Sequence, residues 1–257
     1  MIYVTGDTHG DFSRFSEQAF PAQKWMTRDD CVIICGDFGG VWKDSPEQQA
    51  GLDRLNALPF TTLFLDGNHE NYDLLASYTV TEWHGGKVQV IQPNVLHLMR
   101  GQVYDIGGET FFTMGGAACH DIHNGVLDLK DPDFEQKYKQ LRQQKRFFRI
   151  NHLSWWEQEL PTRKELEEAW KIICAHEKKV DYVLSHCAPT GLQRKIQAIT
   201  RDDTHPVNEL TEFLQRIYDE CEFRSWFCGH YHHSMNVEKD FHVLYESVVP
   251  LTRHAPS

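Results

Sequence analysis

The stretch V-T-G-D-T-H-G-D-F, residues 4–12, brings an apolar run directly up to a glycine and then to ionisable side chains. Asp7, His9 and Asp11 follow Gly6 within five residues. In an extended chain, residues two apart point the same way, so Asp7 and His9 can face a single ion together. Because carboxylate and imidazole groups are common metal ligands, this pattern predicts a metal site at the end of the first strand.

Four more apolar runs end in the same way and predict buried strands. Each run is continuous rather than alternating, which is typical of strands covered on both faces. Asp37, Asn68, His186 and His230 lie within three residues of the ends of these runs. Since sites in α/β sheets gather at the carboxyl ends of strands, we expect these side chains to converge. The five predicted strands are Ile2–Val4, Cys31–Cys35, Thr62–Leu65, Tyr182–Leu184 and Trp226–Cys228.

Helical patterns separate these strands. Ser45 and Pro46 predict a capped helix start, and Thr162 with Glu165 has the spacing of a capping box. Short strands are expected over residues 87–116, with a tight hairpin at 106–109. Strands that alternate with helices predict an α/β fold with mixed sheets. A further helix is predicted by apolar residues at helical spacing, namely Val207, Leu210, Phe213, Leu214 and Ile217.

The chain of 257 residues is predicted to form one domain, residues 1–257. No internal repeat and no linker rich in proline or serine divides it. Residues 117–160 differ in composition from their surroundings, and we interpret them as an insertion, or cap, over the main body.

The composition limits the partners and the compartment. A net charge of −11 gives no broad attraction to nucleic acid or to anionic membranes. No apolar run approaches the roughly 20 residues that a membrane span needs, and we expect no signal peptide. The seven cysteines form no C-x-x-C pair. We interpret them as reduced thiols and expect a cytoplasmic protein.

Five short motifs follow the predicted strands, and their joint pattern is far more specific than any one of them. They are G-D-T-H-G (6–10), G-D-F-G-G (36–40), G-N-H-E (67–70), S-H-C-A-P (185–189) and G-H-Y-H (229–232). This set resembles the five signature motifs of the calcineurin-like metallophosphoesterases, in the same order along the chain.

The resemblance implies a fold and a set of roles. The fold would be a four-layer sandwich of two mixed β-sheets flanked by helices, with a helical insertion. Two divalent metal ions would be bridged by Asp37, and His69 would stand beside them without ligating either. The first ion would be held by Asp7, His9 and His232. The second ion would be held by Asn68, His186 and His230.

Ligands of this mixed kind suit first-row metals, and we expect Mn, with Fe, Zn, Co and Ni as alternatives. Two ions about 3.5–4 Å apart can clamp a phosphoryl group, and they lower the pKa of a bound water from 15.7 towards about 7. The metal-bound hydroxide would attack phosphorus in line, and His69 would protonate the departing oxygen as a general acid. The predicted function is therefore metal-dependent hydrolysis of a phosphoester bond.

Departures from the family pattern bear on the substrate. In the protein Ser/Thr phosphatase branch, an aspartate and an arginine follow the second G-D, and an arginine precedes G-N-H-E. Here those places hold Gly40, Val41 and the pair Asp66-Gly67. Because arginine favours dianionic phosphate, its absence favours a phosphodiester or nucleotide-type substrate. A phosphomonoesterase or protein Ser/Thr phosphatase is the alternative, and a non-catalytic scaffold with this fold is a further one.

A second carboxylate that often orients the active-site histidine is also missing. Asp66 and Glu70 are candidates for orienting His69, and the competing interpretation is that each merely caps a turn or a helix.

The insertion offers a local basic face in an acidic chain. We predict that Arg142, Arg146 and Arg149 help to bind a phosphate-bearing substrate, although a solvated helix surface would carry the same charges. The predicted partner is a phosphorylated small molecule or nucleotide, with a short single strand of nucleic acid as the alternative. No membrane partner is expected, and the oligomeric state is open.

Other histidines have less support as residues of the site. His120, Asp121 and His123 form a small cluster that is interpreted as an ordinary polar loop, and the alternative is that it lines the site from the hairpin side. His205 has no metal-like company in the sequence, and we assign it no role.

Overall fold

The computed structural model describes residues 1–251. Residues 252–257, the end of the predicted single domain, lie outside the described residues. The strands are β1 (Ile2–Thr5), β2 (Cys31–Ile34), β3 (Thr61–Phe64), β4 (Val80–Trp83), β5 (Gly86–Gln92), β6 (Val95–Leu98), β7 (Gln102–Ile106), β8 (Glu109–Met114), β9 (Val126–Leu127), β10 (Arg149–Ile150), β11 (Tyr182–Ser185), β12 (Ser225–Cys228), β13 (Met235–Glu238), β14 (Phe241–Val243) and β15 (Val249–Pro250). The α-helices are α1 (Pro46–Ala57), α2 (Tyr72–Leu75), α3 (Phe134–Gln143), α4 (Arg163–Ala175), α5 (Thr190–Thr200) and α6 (Glu209–Glu220).

Thirteen of the described strands form two mixed sheets. The seven-stranded sheet has the order β15-β1-β2-β3-β6-β5-β4, and the six-stranded sheet has the order β13-β14-β12-β11-β8-β7. Four neighbouring strands are parallel in each sheet: β1, β2, β3 and β6 in the first, and β14, β12, β11 and β8 in the second. This topology confirms the predicted fold class of two mixed sheets flanked by helices.

Alternate residues of the strands face opposite layers. Ile33 and Leu63 of the first sheet share a buried core with Phe111 and Leu184 of the second sheet. The alternate strand residues, such as Ile34, face the opposite side of the first sheet and pack with α1. Helices α4, α5 and α6 contribute apolar side chains to the core on the far side of the second sheet. Strands covered on both faces explain the continuous apolar runs.

The predicted strands are confirmed to within one residue at each end. The helix starts are confirmed as well, because Ser45 caps α1 and Thr162 forms the capping box of α4 with Glu165. In the last predicted helix the boundary differs. Asn208 is the N-cap of α6, and therefore Val207 lies before the helix, where it is exposed.

Residues 117–160 lie between β8 and α4 and have structure of their own. β9 and β10 form a two-stranded parallel sheet apart from the two large sheets, and α3 lies between them in the chain. The segment closes on itself at its ends, because the Ala117 N–H donates to the Glu159 carbonyl oxygen (3.1 Å). An insertion would leave and rejoin the main body at one place in this way, and the cap stays a prediction.

None of the helices in residues 1–251 has both the length and the apolar character needed to cross a membrane.

Candidate metal centre

The turns after the five predicted ligand strands are tied to one another by hydrogen bonds. The backbone N–H groups of Thr8 and His9 donate to the carbonyl oxygen of Asp37, at 3.1 and 2.8 Å. The His230 N–H donates to Asp7 Oδ1 at 2.9 Å. Since β1 belongs to the first sheet and β12 to the second, this last bond joins the two sheets at the carboxyl ends of their parallel strands.

Two of the motif glycines are required by close approach between the sheets. Gly36 has a φ of +93°, and a Cβ at that position would overlap the His186 ring. A Cβ at Gly229 would overlap Asp7 Oδ1. Each glycine therefore lets a turn of one sheet reach a predicted ligand from the other sheet.

Four predicted ligands form one tight group. Ligand atoms of Asp7, His9, Asp37 and His232 all lie within 4.8 Å of one another. The Nε2 atoms of His9 and His232 are 3.0 Å apart, and His232 Nε2 is 3.2 Å from Asp7 Oδ2. Both carboxylates are buried and both histidines are exposed, so the group opens to solvent on its imidazole side.

Asp37 lies between this group and the remaining predicted ligands. Its Oδ2 is 3.8 Å from His9 Nε2, and its Oδ1 is 3.3 Å from His186 Nε2. Asn68 Oδ1 is also 3.3 Å from His186 Nε2. The ring centroid of His230 is 4.9 Å from that of His186. The two oxygens of Asp37 thus face different sets of donors.

The donor set fits a cation. Oxygen and nitrogen ligands at about 2.0–2.2 Å from one ion lie about 3.0–3.5 Å apart, and the contacts of His232 Nε2 with His9 and Asp7 fall in this range. The buried Oδ2 of Asp7 makes no hydrogen bond within the described residues. A buried carboxylate oxygen beside two imidazole nitrogens that face each other is an arrangement that a shared cation would satisfy.

Four of the predicted ligands have a left-handed backbone. The φ angles are +47° at His9, +45° at Asp37, +71° at His230 and +50° at His232. A non-glycine residue in such a conformation costs about 1–3 kcal/mol and persists where its surroundings enforce it. The hydrogen bonds between the turns provide that constraint, and no pattern of residue types in the motifs predicts the strained angles.

Asp37 and His186 stabilise each other's charges. Burial acts to raise the pKa of Asp37, but His186, His69 and His9 outweigh it and hold that pKa well below its usual range. Burial acts to lower the pKa of His186, but Asp37 outweighs it and raises the pKa to about 9. Since a histidine binds a metal in its neutral form, metal binding would release a proton from this pair.

His69 lies beside the group of four and does not join it. Its backbone N–H donates to Asp37 Oδ1 at 2.7 Å, and its ring is edge-to-face with that of His9 at a centroid distance of 5.2 Å. Burial lowers the pKa of His69, Asp37 opposes this, and His9 and Arg149 lower the pKa further. The role of His69 beside two metal ions stays a prediction.

Glu70 holds a turn rather than the His69 ring. Its Oε1 accepts from the Phe38 N–H at 2.6 Å, and its Oε2 accepts from the Gly39 N–H at 3.3 Å. Both donors belong to the second motif. The contacts of Glu70 therefore favour the interpretation that it fixes the second motif against the third.

Asp66 belongs to a buried network that sequence reasoning missed. Its Oδ2 accepts from Arg100 Nε (2.7 Å) and from the Tyr72 hydroxyl (2.9 Å), and its Oδ1 is 3.1 Å from His97 Nε2. Burial acts to raise the pKa of Asp66, but Arg100 and His97 hold it well below its usual range. Arg100 also donates to the carbonyl oxygen of Gln158 at 2.8 Å. The network ties the third motif to the end of the insertion.

The three predicted substrate-binding arginines have different surroundings. Arg149 is paired with Asp121 (Nη2 to Oδ2, 2.8 Å), its side chain is 21% exposed, and its charge helps to lower the pKa of His69. Arg142 and Arg146 are exposed in and after the last turn of α3. Arg149 is thus close enough to act on the site electrostatically, and substrate binding by all three stays a prediction.

Two further histidines lie beside His230: His120, for which lining of the site was only the alternative interpretation, and His205, to which the sequence assigned no role. The His205 ring centroid is 4.7 Å from that of His230 and 5.1 Å from that of His120. Burial lowers the pKa of His205 to about 4, so its ring is neutral near pH 7. His120 and His205 come from loops far apart in the chain, and no local sequence pattern reveals that these loops meet.

Comparison with known proteins agrees with the motifs and with their convergence. The sequence model of the calcineurin-like phosphoesterase family matches residues 1–234, a range that includes all five motifs. A search of curated proteins found no significant match. Since the family match spans most of the 257 residues, the chain belongs to the calcineurin-like phosphoesterase family.

Proposed function

We propose that this chain is a binuclear-metal-dependent hydrolase of phosphoester bonds whose substrate is a phosphodiester or a nucleotide-type compound. Family membership supports metal-dependent phosphoester hydrolysis. The observation that carries the proposal is the convergence of Asp7, His9, Asp37 and His232, whose ligand atoms lie within 4.8 Å of one another.

The proposed ligand sets follow the two groups around Asp37. We assign the first ion to Asp7, His9 and His232, and the second ion to Asn68, His186 and His230. Asp37 would be shared, because its two oxygens face His9 and His186 separately. Mn is the proposed metal, and Fe, Zn, Co and Ni suit the same ligand types.

When bound, the two cations would supply positive charge to the phosphoryl oxygens and would lower the pKa of a water from 15.7 towards about 7. In the hydrolysis, the water oxygen forms a new bond to phosphorus while the bond from phosphorus to the leaving oxygen breaks. The water would release a proton to bulk solvent, and His69 would give a proton to the leaving oxygen. The position of His69 supports this role, because its ring lies beside that of His9, at a centroid distance of 5.2 Å.

The charges near the site support a diester over a monoester. Arg100 is engaged with Asp66 and with the Gln158 carbonyl oxygen. Arg149 is paired with Asp121. A monoanionic diester needs less positive charge than a dianionic monoester, for which unpaired arginines are the usual partners.

We further propose that residues 1–257 form one domain with residues 117–160 as its insertion, since one core is built from both sheets. A cytoplasmic location is supported by the cysteines, all seven of which are free.

The test is a comparison of two chromogenic substrates with protein that has been stripped of metal and reloaded with Mn²⁺. We expect two metal ions per chain by elemental analysis. We also expect kcat/KM for bis-p-nitrophenyl phosphate to exceed that for p-nitrophenyl phosphate by about tenfold or more, with activity lost on chelation. A preference for p-nitrophenyl phosphate would support the monoesterase alternative. Two bound ions without hydrolysis of any phosphoester in a broad panel would support the scaffold.

A further inference from the structure

A cleft of about 860 Å³ adjoins the candidate metal centre. Its lining includes His9 and His69, and it continues along the segment after the first motif and along α1. Sites for small molecules in proteins have volumes of about 300–1,000 Å³, so the cleft has room for a compound larger than a phosphate ion.

The position of His69 indicates which part of a substrate would enter this cleft. A general acid must lie within hydrogen-bond reach of the leaving oxygen. Because His69 lines the cleft, the leaving group would extend into it from the scissile bond. This step rests on the function proposed above.

Two aromatic side chains in the cleft are held in place while part of each ring stays accessible. Phe12 and Trp42 are both half-buried. Phe12 packs against Phe38 at a centroid distance of 5.2 Å, and Trp42 is edge-to-face with Trp156 at 5.5 Å. The segment that carries Trp42 is fixed by Gln48 Oε1, which accepts from the Trp42 N–H at 2.5 Å. Fixed aromatic rings of this kind bind planar rings by stacking.

The charged residues of the cleft favour an anionic group on the same ligand. Lys43 and Arg54 are exposed, and neither forms a salt bridge with another residue of 1–251. The two acids in the lining have local partners. Asp11 Oδ1 accepts from the Ser13 N–H at 2.9 Å, and Glu47 lies in the first turn of α1, where backbone N–H groups stabilise a carboxylate. Lys43 and Arg54 are therefore available to pair with an anionic group of a ligand.

We propose that this cleft binds the leaving-group half of the substrate and that this half is a nucleotide. Its base stacks on Trp42 and Phe12, and its phosphate pairs with Lys43 and Arg54. Hydrolysis would form a bond from the water oxygen to the phosphorus at the candidate metal centre and would break the bond from that phosphorus to an oxygen of the nucleotide, which would take its proton from His69.

The test measures binding of the leaving-group product directly. Adenosine monophosphate, ribose 5-phosphate and hexyl phosphate are titrated into the protein by calorimetry, with and without Mn²⁺. The variants are Trp42→Leu, Trp42→Phe and Arg54→Gln. The matched controls are Trp25→Leu and Arg194→Gln, which replace an exposed tryptophan and an exposed arginine away from the cleft. Thermal unfolding shows which variants are folded.

We expect adenosine monophosphate to bind at least tenfold more tightly than ribose 5-phosphate, because only the former has a base to stack. Trp42→Leu should weaken its binding about tenfold, Trp42→Phe should retain most of it, and Arg54→Gln should weaken it about threefold. Trp25→Leu and Arg194→Gln should bind as the unchanged protein does.

The inference is overturned if adenosine monophosphate binds no better than ribose 5-phosphate, if hexyl phosphate binds more tightly than both, or if Trp42→Leu and Trp25→Leu behave alike. Hydrolysis of bis-p-nitrophenyl phosphate by the unchanged protein separates the two proposals. If the unchanged protein hydrolyses this substrate in any of those cases, the proposed phosphoesterase activity stands and only nucleotide binding in the cleft is ruled out. The absence of this hydrolysis would count against the enzyme function itself.

Discussion

The ligand turns and the insertion, residues 117–160, differ in how firmly their side chains are held. At the turns, Asp7, Asp37 and His186 are buried, and backbone N–H groups of neighbouring motifs bond to both carboxylates. In the insertion, α3 buries none of its residues, and Arg142 and Arg146 are exposed. The proposed chemistry therefore depends on buried, hydrogen-bonded positions at the turns, which tolerate little change. Recognition by the insertion would depend on positions that can vary freely.

Asp37→Asn should produce the largest effect, because it removes the charge shared by the two ligand groups while keeping the shape of the side chain. We expect fewer than two metal ions per chain and a fall in kcat/KM of about 1,000-fold or more. Elemental analysis and the bis-p-nitrophenyl phosphate assay measure the two effects. The control is Asp131→Asn, an exposed carboxylate of the insertion. Two metal ions per chain in Asp37→Asn would show that the two ions do not depend on a shared Asp37 carboxylate.

Arg100→Met should strongly destabilise the junction between the two regions, because it leaves the buried Asp66 carboxylate without its cation. Breaking a buried ion pair in this way costs about 3–5 kcal/mol. Urea unfolding of metal-free protein measures the loss. The control is Arg163→Met, whose pair with Glu209 (2.6 Å) joins side chains that are 83% and 56% exposed. That change should cost less than about 1 kcal/mol, and equal losses would contradict the structural role of the network.

Glu159→Gln should stabilise the protein in alkaline solution. Glu159 is 2% exposed, neither carboxyl oxygen has a hydrogen-bond partner among the described residues, and burial raises its pKa from 4.5 to about 9. The folded protein keeps a proton that the unfolded chain releases. The carboxyl group's contribution to stability is therefore complete below pH 4.5 and is lost as the pH rises towards 9.

Glutamine has no proton to lose, so the gain from Glu159→Gln over the unchanged protein should be about 4 kcal/mol larger at pH 8.5 than at pH 5, at about 1.4 kcal/mol for each pH unit between the two pKa values. Unfolding measured at both pH values tests this. Glu157→Gln, an exposed neighbour, should show no such pH dependence. A gain of the same size at both pH values would mean that the carboxyl group is not protonated in the folded protein.

Variants of the insertion's arginines should have the smallest effects, and they distinguish Arg149 from the α3 surface. We expect KM for bis-p-nitrophenyl phosphate to rise about fivefold in Arg149→Gln, because Arg149 is close enough to act on His69 and is only partly exposed. Replacing Arg142 and Arg146 together by glutamine should raise KM by a smaller factor, about twofold, since exposed charges are screened by solvent. If the double variant had the larger effect, the α3 surface would be the part that meets the substrate.

The sequence predicted the fold well because its signals are local. Continuous apolar runs mark strands covered on both faces, and Ser45 and Thr162 bond to backbone N–H groups three residues further on. Such patterns are complete within one segment. The candidate ligands also carry a local signal, because their residue types directly follow apolar strands.

The parts of the site that escaped prediction depend on contacts between distant segments. Arg100 and Asp66 are 34 residues apart, and His205 reaches His230 through a loop without any motif. The left-handed angles at His9 and Asp37 arise from hydrogen bonds between turns rather than from the residues themselves. No single segment contains that information.

The hydrogen bond from the His230 N–H to Asp7 Oδ1 has a consequence for biosynthesis. Asp7 and His232 belong to one group of ligand atoms and are 225 residues apart in the sequence. At a translation rate of about 5–20 residues per second, a ribosome needs roughly 10–45 s to pass from the first residue to the second. A nascent chain therefore cannot complete this group of ligands until His232 has been synthesised and has left the ribosome, and metal binding by the full group must follow that point.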